Sequence, residues 1–323
     1  MTSCLLLACG RDDKLVPAEP WALPAHFPAP VYDFSQNPTS AAGFELGKAL
    51  FYDPITSIDS SISCASCHFQ SHAFSDVVAL SQGVNGQLGL RNAPALQNLA
   101  WMPHFNADGG INQLDLQPIA PLTDTLEHAF ELRALFSRLE AHPLYPARFE
   151  AAFGRRQISD RPLLLAISQF TSRLISADSK YDRVKQGKAS YTAAEAAGYA
   201  LFQQHCASCH AEPLFSDYSF RNNGHLSRMG DEGRARVTGK PADEGKFRVP
   251  SLRNIQLSAP YMHDGSLQSL DEVLLHYAAV GPGADTLLGQ GISLSSADRA
   301  ALKAFLHSLT DYHFIANEAF SAP

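Results

Sequence analysis

The sequence lacks three features, and each absence excludes a class of protein. Beyond the start of the chain, no stretch approaches the roughly 18 consecutive apolar residues that a membrane-spanning helix needs. The formal net charge is −7, which argues against a nucleic-acid-binding protein. No segment alternates apolar and polar residues as a half-buried strand does. With 45% hydrophobic and 18% charged residues among 323, we expect a globular, mainly α-helical chain of one or two domains.

Cysteine is also scarce, and its positions are informative. Four of the six cysteines stand in a pentapeptide, CASCH, that the chain spells twice. The pattern CxxCH attaches c-type haem: two thioether bonds hold the porphyrin, and the histidine binds its iron. The residues assigned in this way are Cys64, Cys67 and His68 for the first haem, and Cys206, Cys209 and His210 for the second. The alternative is that the four cysteines together bind one zinc ion.

The other two cysteines lie within the first ten residues. The segment 6–10, LLACG, resembles the lipobox of a bacterial lipoprotein, in which Cys9 would be lipidated after a cleavage that removes Cys4. The alternative is an ordinary apolar start. The stretch lacks the positive start and long apolar core of a signal peptide, so we expect the leader to begin upstream of Met1. Because c-type haem is attached outside the cytoplasm, we expect export to the periplasm or the outer cell envelope.

An internal repeat predicts two cytochrome c-like haem domains in tandem. The segment ELGKALF at 45–51 is similar to AAGYALF at 196–202, and each leads into a CASCH motif. A proline-rich stretch precedes the first copy. We therefore predict a leader and proline-rich tether at 1–40, an N-terminal haem domain at 41–188 and a C-terminal haem domain at 189–323.

Further motifs resemble those of the bacterial di-haem cytochrome c peroxidases and their MauG-like relatives. The most specific are GLRNAP at 89–94, DGG at 108–110, VPSLRN at 249–254 and APYMHDG at 259–265. The resemblance implies that the N-terminal haem reacts with peroxide and that the C-terminal haem passes electrons to it. It also implies a calcium ion between the domains. The matching calcium ligands are the side chain of Asn92 and the backbone carbonyls of Ser258 and Pro260, which are hard oxygen donors.

Two positions carry the peroxide chemistry that this resemblance implies. Gln117 and Glu127 stand where the family has its active-site glutamine and its acid–base glutamate. A carboxylate there can take a proton from one peroxide oxygen and return it to the other, so that water leaves. Gln117 would orient the oxygens by hydrogen bonding. From the residues alone, Glu127 is equally a cap partner of Asp124 at the start of a predicted helix.

The chain departs from the family's peroxidases at the sixth-ligand position of both haems. Many keep a histidine on the loop before the RNxP motif, but the loop at 81–86 has none, so we predict an N-terminal iron open to peroxide without prior reduction. Tyr277 stands where ordinary peroxidases have methionine and MauG-like enzymes have tyrosine. A phenolate ligand favours ferric iron and lowers the reduction potential. The alternatives are that Tyr277 is a core residue and that His276, Met229 or Met262 binds the iron.

A third departure concerns the region between the haems. The family usually has a tryptophan just before the Asp-Gly pair, and here that position is Ala107. Trp101 lies upstream and is either a substitute or a packed core residue. His128 is the one further histidine that we single out, because it neighbours Glu127 and replaces a frequent methionine.

These patterns predict an exported di-haem peroxidase that reduces hydrogen peroxide to water with electrons from a small cytochrome c or cupredoxin. One alternative is MauG-like, with peroxide driving the oxidation of residues on a partner protein. Another is a di-haem electron carrier or haem-based sensor, which needs neither Gln117 nor Glu127. We expect no nucleic-acid partner, and a homodimer would be in keeping with the family.

Overall fold

The computed structural model describes residues 22–225, 230–280, 283–289 and 291–323, so Cys4, Cys9 and Met229 lie outside the described residues. The described chain is mainly helical, which confirms the predicted class. Its helices are α1 (Ala41–Tyr52), α2 (Ile119–Thr123), α3 (Leu132–Ala141), α4 (Tyr145–Phe153), α5 (Asp160–Thr171), α6 (Lys180–Lys185), α7 (Ala193–His205), α8 (Ala235–Thr238), α9 (Leu270–Ala278), α10 (Ser296–His307) and α11 (Tyr312–Ile315). Strands β1 (Phe220–Arg221) and β2 (Phe247–Arg248) pair antiparallel. Within the described ranges, no helix is both long and apolar enough to cross a bilayer.

Two pairs of crossed helices repeat one arrangement in the two halves of the chain. Helix α1 packs on α5, and α7 packs on α10. Gly47 of α1 lies so close to α5 that a Cβ atom would overlap the carbonyl oxygen of Ala166. Gly198 of α7 meets Ala301 of α10 in the same way. Both glycines belong to the repeated sequence segment, so the sequence repeat is also a structural repeat.

The cores of the two halves are built from matching phenylalanines. The ring centroids of Phe51 and Phe170 lie 5.1 Å apart between α1 and α5. Those of Phe202 and Phe305 lie 5.1 Å apart between α7 and α10. All four rings are buried, so each pair contributes both apolar burial and a favourable ring geometry to its half.

The segment before α1 wraps over the folded chain. The Nε2 atom of His26 lies 3.2 Å from Asp182 Oδ1, and Phe27 packs edge-on against Trp101. The indole of Trp101 is buried and donates from Nε1 to the carbonyl of Pro28 at 2.7 Å. Trp101 is therefore a packed core residue beneath this segment, as the second of its two predicted roles requires.

The end of the chain returns to the first half. Phe314 and Phe320 pack in one buried cluster with Phe44 and Phe74, and Lys48 donates from Nζ to the carbonyl of Ala319 at 3.3 Å. The predicted boundary near residue 189 stays a prediction, but the last residues are packed against helices that precede it.

The helix that we predicted to begin at Asp124 does not form. The carbonyl of Asp124 accepts hydrogen bonds from the backbone nitrogens of Glu127 at 3.1 Å and Ala129 at 2.9 Å. Ala129 then takes a φ of 53°, which ends any helical path. The next helix starts only at Leu132, where the side chain of Glu131 caps it. The apparent capping pattern at 124–127 is therefore a turn.

Candidate functional site

The first CxxCH motif forms a tight turn after α1. Residues Cys64–Ser66 make one turn of 3-10 helix, and the backbone nitrogen of His68 donates to the carbonyl of Cys64 at 3.0 Å. The Nδ1 atom of His68 lies 2.7 Å from the carbonyl of Phe74, so the ring donates its proton there. Burial lowers the pKa of His68. The imidazole is thus neutral, with a lone pair on Nε2, which is the state that binds a metal.

The second motif repeats this geometry at the end of α7. The backbone nitrogen of His210 donates to the carbonyl of Cys206 at 2.9 Å. Its Nδ1 lies 3.1 Å from the carbonyls of both Phe215 and Pro250, and burial lowers its pKa. Phe74 and Phe215 both have positive φ, 60° and 56°, so the two loops close alike. Each motif therefore fits a haem iron ligated by its histidine.

The four motif cysteines are not gathered into one site. Cys64 packs among the phenylalanines of the first half, and Cys206 packs with Phe202 in the second half. In the part of the chain that the structure describes, no group of three or more His, Cys, Asp or Glu side chains is arranged to hold a metal ion. The zinc alternative is therefore wrong.

Glu127 lies beside the first motif. The backbone nitrogen of Val84 donates to the carbonyl of Glu127 at 3.0 Å, which fixes the turn that carries the side chain. The Glu127 charge helps to raise the pKa values of the Cys64 and Cys67 thiols, after the larger effect of burial. The carboxyl group is thus within electrostatic reach of both haem-attachment positions.

The side chain of Glu127 is exposed, and its carboxyl group has no hydrogen-bond or ion-pair partner among the described residues. The surrounding protein raises its pKa to about 7 by desolvation, and the nearby charge of Asp124 raises it further. Because no helix begins at Asp124, Glu127 does not cap one. The capping role is therefore wrong, and the acid–base role of Glu127 stays a prediction.

Gln117 stands at the opposite end of α2 from Glu127. It follows the 3-10 turn Leu114–Leu116, and its carbonyl accepts from the backbone nitrogen of Ala120 at 3.2 Å. Helix α2 has five residues, about 7.5 Å along its axis, and it separates Gln117 from the turn that carries Glu127. The amide of Gln117 makes no side-chain hydrogen bond to the described residues.

The loop that carries a histidine in many of the family's peroxidases is a closed hairpin here. Gln82 pairs with Leu88 in an antiparallel bridge. Gly83 lies against the backbone of Leu126, where a Cβ atom would overlap the carbonyl oxygen, so a larger residue would displace the turn that carries Glu127. The loop supplies no imidazole.

His128 serves this turn as a structural group. Its ring is 3% exposed, and Nδ1 lies 3.0 Å from the carbonyl of Thr56. Burial lowers its pKa, so the ring is neutral and donates to that carbonyl. The backbone of His128 in turn accepts from Ile58 at 3.0 Å. Both contacts anchor the turn to the chain that follows α1.

A cavity lined mostly by residues of the second half contains Tyr277 together with His210, Cys206 and Cys209 in its wall. Burial raises the pKa of the Tyr277 phenol, and the two thiols raise it further. The amide of Asn223 donates from Nδ2 to the Tyr277 oxygen at 3.4 Å. The structure thus brings Tyr277 and the predicted proximal histidine of the second haem to one cavity.

The competing ligands of the second iron are placed differently. His276 does not line the cavity among the described residues, and its Nε2 lies 2.9 Å from the carbonyl of Asn223. Met262 does line the cavity, and its sulfur lies 3.3 Å from Asn223 Nδ2. Met229 lies outside the described residues. Tyr277 as the sixth ligand stays a prediction, with Met262 as its competitor in the cavity.

The predicted calcium ligands are also residues of the cavity wall. Asn92, Ser258 and Pro260 line the same cavity. The amide of Asn92 donates from Nδ2 to the carbonyls of Val78 at 3.0 Å and Ala79 at 3.2 Å. Its Oδ1 atom remains available, and three neutral oxygens suit a hard cation. A calcium ion at this place stays a prediction.

Two residues of the cavity wall were missed by the sequence reasoning. Tyr218 and Arg248 both line the cavity, and the backbone nitrogen of Arg248 donates to the carbonyl of Ala107 at 2.8 Å. The available signal was the position of Arg248 directly before the VPSLRN motif. Nothing local in the sequence shows that Tyr218 lies on the same wall.

Two CxxCH motifs on a duplicated helical frame define the class: this is a mainly helical protein with two c-type haem motifs. A family model described as "Di-haem cytochrome c peroxidase" matches residues 41–190. The methylamine utilization protein MauG of Methylorubrum extorquens is 36% identical over 89% of this chain and 84% of that protein. The cytochrome c551 peroxidase of Nitrosomonas europaea is 34% identical over 74% of this chain and 73% of that protein.

A solved structure agrees with these relatives. The crystal structure of "a MauG-like protein associated with microbial copper homeostasis" has a TM-score of 0.84 and 35% identity, covering 95% of this chain and 99% of that one. The chain therefore belongs to the di-haem cytochrome c peroxidase and MauG family, as its motifs predicted. It is a peroxidase-type oxidoreductase, and membership of this family implies two haems.

Proposed function

We propose that this protein reduces hydrogen peroxide to water at its N-terminal haem, with electrons that reach it from a small cytochrome c or cupredoxin through the C-terminal haem. The haems are bound covalently in tandem domains, and the irons are held by His68 and His210. When bound, each haem supplies an iron that exchanges electrons and, at an open position, binds peroxide. The mature protein acts outside the cytoplasm, with Cys9 as a lipid anchor.

The observation that carries this proposal is the unpaired carboxyl group of Glu127 beside Cys64 and Cys67. Its pKa of about 7 suits a group that must both accept and donate a proton near neutral pH. Glu127 removes the proton from one oxygen of peroxide and delivers it to the other, which leaves as water. The side-chain amide of Gln117 has no hydrogen-bond partner among the described residues. It orients the two oxygens of peroxide by hydrogen bonding.

The hairpin at 81–88 supports direct access of peroxide. It packs on the turn of Glu127 and offers no histidine to the iron. The oxidised protein should therefore react with peroxide without prior reduction. A low-spin bis-histidine spectrum for the N-terminal haem of the oxidised protein would contradict this part of the proposal.

The test is the variant Glu127→Gln, which keeps the shape of the side chain and removes its proton transfer. We expect both haems to remain bound and peroxide turnover with a reduced cytochrome to fall about 10²- to 10⁴-fold. Glu150→Gln is the matched control, because Glu150 is 52% exposed and pairs with Arg156 at the surface. Unchanged turnover in the Glu127 variant would remove it from the mechanism.

A second candidate function is favoured by Tyr277, which lies in the cavity of the second motif and not in a separate core. A phenolate ligand makes that iron harder to reduce, and this suits a MauG-like enzyme that uses peroxide to oxidise residues of a partner protein. The similarity to MauG supports this candidate. Peroxide consumption without a cytochrome donor, together with a mass change in a co-purifying protein, would favour it over the first.

A further inference from the structure

Arg248 is a cation without a counter-ion in the wall of the Tyr277 cavity. In the described ranges it forms no ion pair, and its one side-chain hydrogen bond is a long one, from Nε to the carbonyl of Asn106 at 3.4 Å. Burial lowers the pKa of Arg248 to about 10, so it remains protonated at neutral pH. Arg248 is half-buried and lines the cavity, and a cation partly withdrawn from water without a partner is unfavourable, so this position calls for an anion.

Two other arginines, one buried and one half-buried, have carboxylate partners. Arg253, which is fully buried, lies 2.7 Å from a carboxylate oxygen of Asp182. Arg91 lies 2.6 Å from Asp231 and 2.7 Å from Asp108. Arg248 differs from both, because no carboxylate of the described residues pairs with it.

Tyr218 places a second unpaired donor on the same wall. Its phenol lines the cavity and has no hydrogen-bond partner among the described residues. Burial raises its pKa to about 12, against an opposing effect of the Arg248 charge, so the hydroxyl keeps its proton. The backbone nitrogen of Tyr218 is held by the hydroxyl of Ser216 at 2.9 Å, with a φ of 55°. The two donors are fixed by separate backbone contacts.

Both donors sit on segments that hold the second CxxCH motif. The backbone nitrogen of Asp217 donates to the carbonyl of Cys209 at 2.8 Å. The carbonyl of Pro250 accepts from His210 Nδ1 at 3.1 Å. Between them, the β1–β2 pairing sets Phe220 opposite Arg248. Both donors are therefore on segments that are bonded to the second CxxCH motif.

We propose that Arg248 and Tyr218 bind a propionate carboxylate of the haem attached at Cys206 and Cys209. A guanidinium and a neutral phenol are both strong donors to a carboxylate, and the propionates are the anions that a haem brings into its pocket. Because Arg248 is also bonded to the carbonyls of Asn106 and Ala107, the carboxylate edge of this haem lies against the first half. This contact is at Ala107, the position where the family usually has a tryptophan.

This inference rests on the proposed function only in requiring that the second haem is present. The test compares Arg248→Met, Arg248→Lys and the exposed control Arg155→Gln, each as the full chain carrying two haems by pyridine haemochrome assay. We expect Arg248→Met to shift the reduction potential of the C-terminal haem to lower values, because a cation stabilises the reduced haem. Lysine should restore most of the potential, and the control should leave it unchanged.

A second readout is independent of the potential. The propionate bending band in the resonance Raman spectrum should move in Arg248→Met and in Tyr218→Phe, which removes one hydroxyl. The inference is wrong if neither the potential nor this band changes, or if the N-terminal haem shifts in place of the C-terminal one. If Arg248→Met does not fold, the propionate bending band of Tyr218→Phe is the test, and an unchanged band contradicts the inference. Failure of the proposed function would instead show as absent peroxide turnover in the wild-type protein.

Discussion

Three neighbouring residues, Asp124, Glu127 and His128, show how single side chains divide structural and chemical work. Asp124 accepts from the backbone nitrogen of Leu126 at 2.8 Å, and His128 is bonded to the carbonyl of Thr56 at 3.0 Å. Both side chains thus hold the turn in place. Glu127 alone has no described partner, and its pKa is raised to about 7 by desolvation and by Asp124. Among the described residues this turn thus presents one carboxyl group without a partner, as the proposed proton transfer requires.

The first prediction concerns the pH dependence of the peroxide reaction. Glu127 must be ionised to accept a proton, so the rate should rise with pH through about 7, the raised pKa of this group. The folded protein holds this proton more tightly than the unfolded chain does. The contribution of Glu127 to stability therefore falls as the pH rises from its ordinary value of 4.5 towards 7.

Stopped-flow mixing with peroxide at a series of pH values measures this profile. Glu127→Gln should abolish the rise, whereas Glu150→Gln should keep it. A profile without a rise near pH 7 in the wild-type protein, or an unchanged profile in the Glu127 variant, would contradict the assigned role.

The second prediction concerns Tyr277. Tyr277→Met replaces a phenol with a thioether in the cavity of the second motif. We expect the reduction potential of the C-terminal haem to rise and a near-infrared His–Met charge-transfer band to appear, because methionine favours the reduced iron. Met262→Leu is the control for the competing ligand. A His–Met band that is already present in the wild-type protein and lost in Met262→Leu would overturn the Tyr277 assignment.

At the scale of elements, the two helix crossings are held by glycines. Gly198 of α7 meets the backbone of Ala301 and the Cβ of Phe305, so the helices approach more closely than any side chain at this position allows. Gly47 does the same in the first half against Ala166 and Phe170. The helix pairs set the position of the CxxCH turns, which follow α1 and α7 in the chain.

The third prediction tests this close approach. Gly198→Ala should lower the free energy of unfolding by about 1 to 3 kcal/mol, because the helices must move apart to accept the new methyl group. Ala197→Ser, at the exposed neighbouring position, should change it by about 0.5 kcal/mol or less. Urea unfolding monitored by circular dichroism measures both. Equal stability of the two variants would show that the crossing is not tightly packed.

Local signals explain which elements could be predicted from the sequence. The caps of α7 and α10 depend on short-range contacts, since Thr192 pairs with Glu195 and Ser295 pairs with Asp298 within three residues. The CxxCH motifs are equally local. The same type of local signal gave a wrong prediction at Asp124, because contacts with the rest of the fold hold that segment as a turn and not as a helix.

The residues that surround the candidate site are harder to predict from the sequence. Tyr218 and Arg248 reach one wall only because β1 and β2 pair across an intervening loop. Whether the carboxyl group of Glu127 finds a hydrogen-bond or ion-pair partner depends on side chains that are distant in the sequence. Such properties follow from tertiary packing, and a motif gives the residue but not its neighbours.

At the scale of the whole molecule, a charge network joins the two halves. Arg91 of the first half binds Asp231 of the second at 2.6 Å. It also binds Asp108, a fully buried carboxylate, at 2.7 Å, and Asp108 accepts from Arg236 of the second half at 2.7 Å. Arg91 lowers the pKa values of both carboxyl groups, so the network is ionised at neutral pH and fixes one half on the other.

The fourth prediction follows from this network. Arg91→Met should destabilise the protein by on the order of 3 kcal/mol, because it removes a counter-ion from the buried carboxylate of Asp108 and from the half-buried one of Asp231. The two halves should then unfold in separate steps. Arg156→Gln, which breaks an exposed pair with Glu150, should cost about 1 kcal/mol or less. Calorimetry that shows a single, unshifted transition in Arg91→Met would contradict the role of this contact.

The central claim is that this chain carries one haem on each CxxCH motif. Its most direct test is the intact mass, under denaturing conditions, of the protein produced in a host competent in cytochrome c maturation. The account predicts the mass of the polypeptide plus two haems, and the loss of one haem when Cys64 and Cys67 are both replaced by alanine. A mass with one haem or none in the wild-type protein would contradict it.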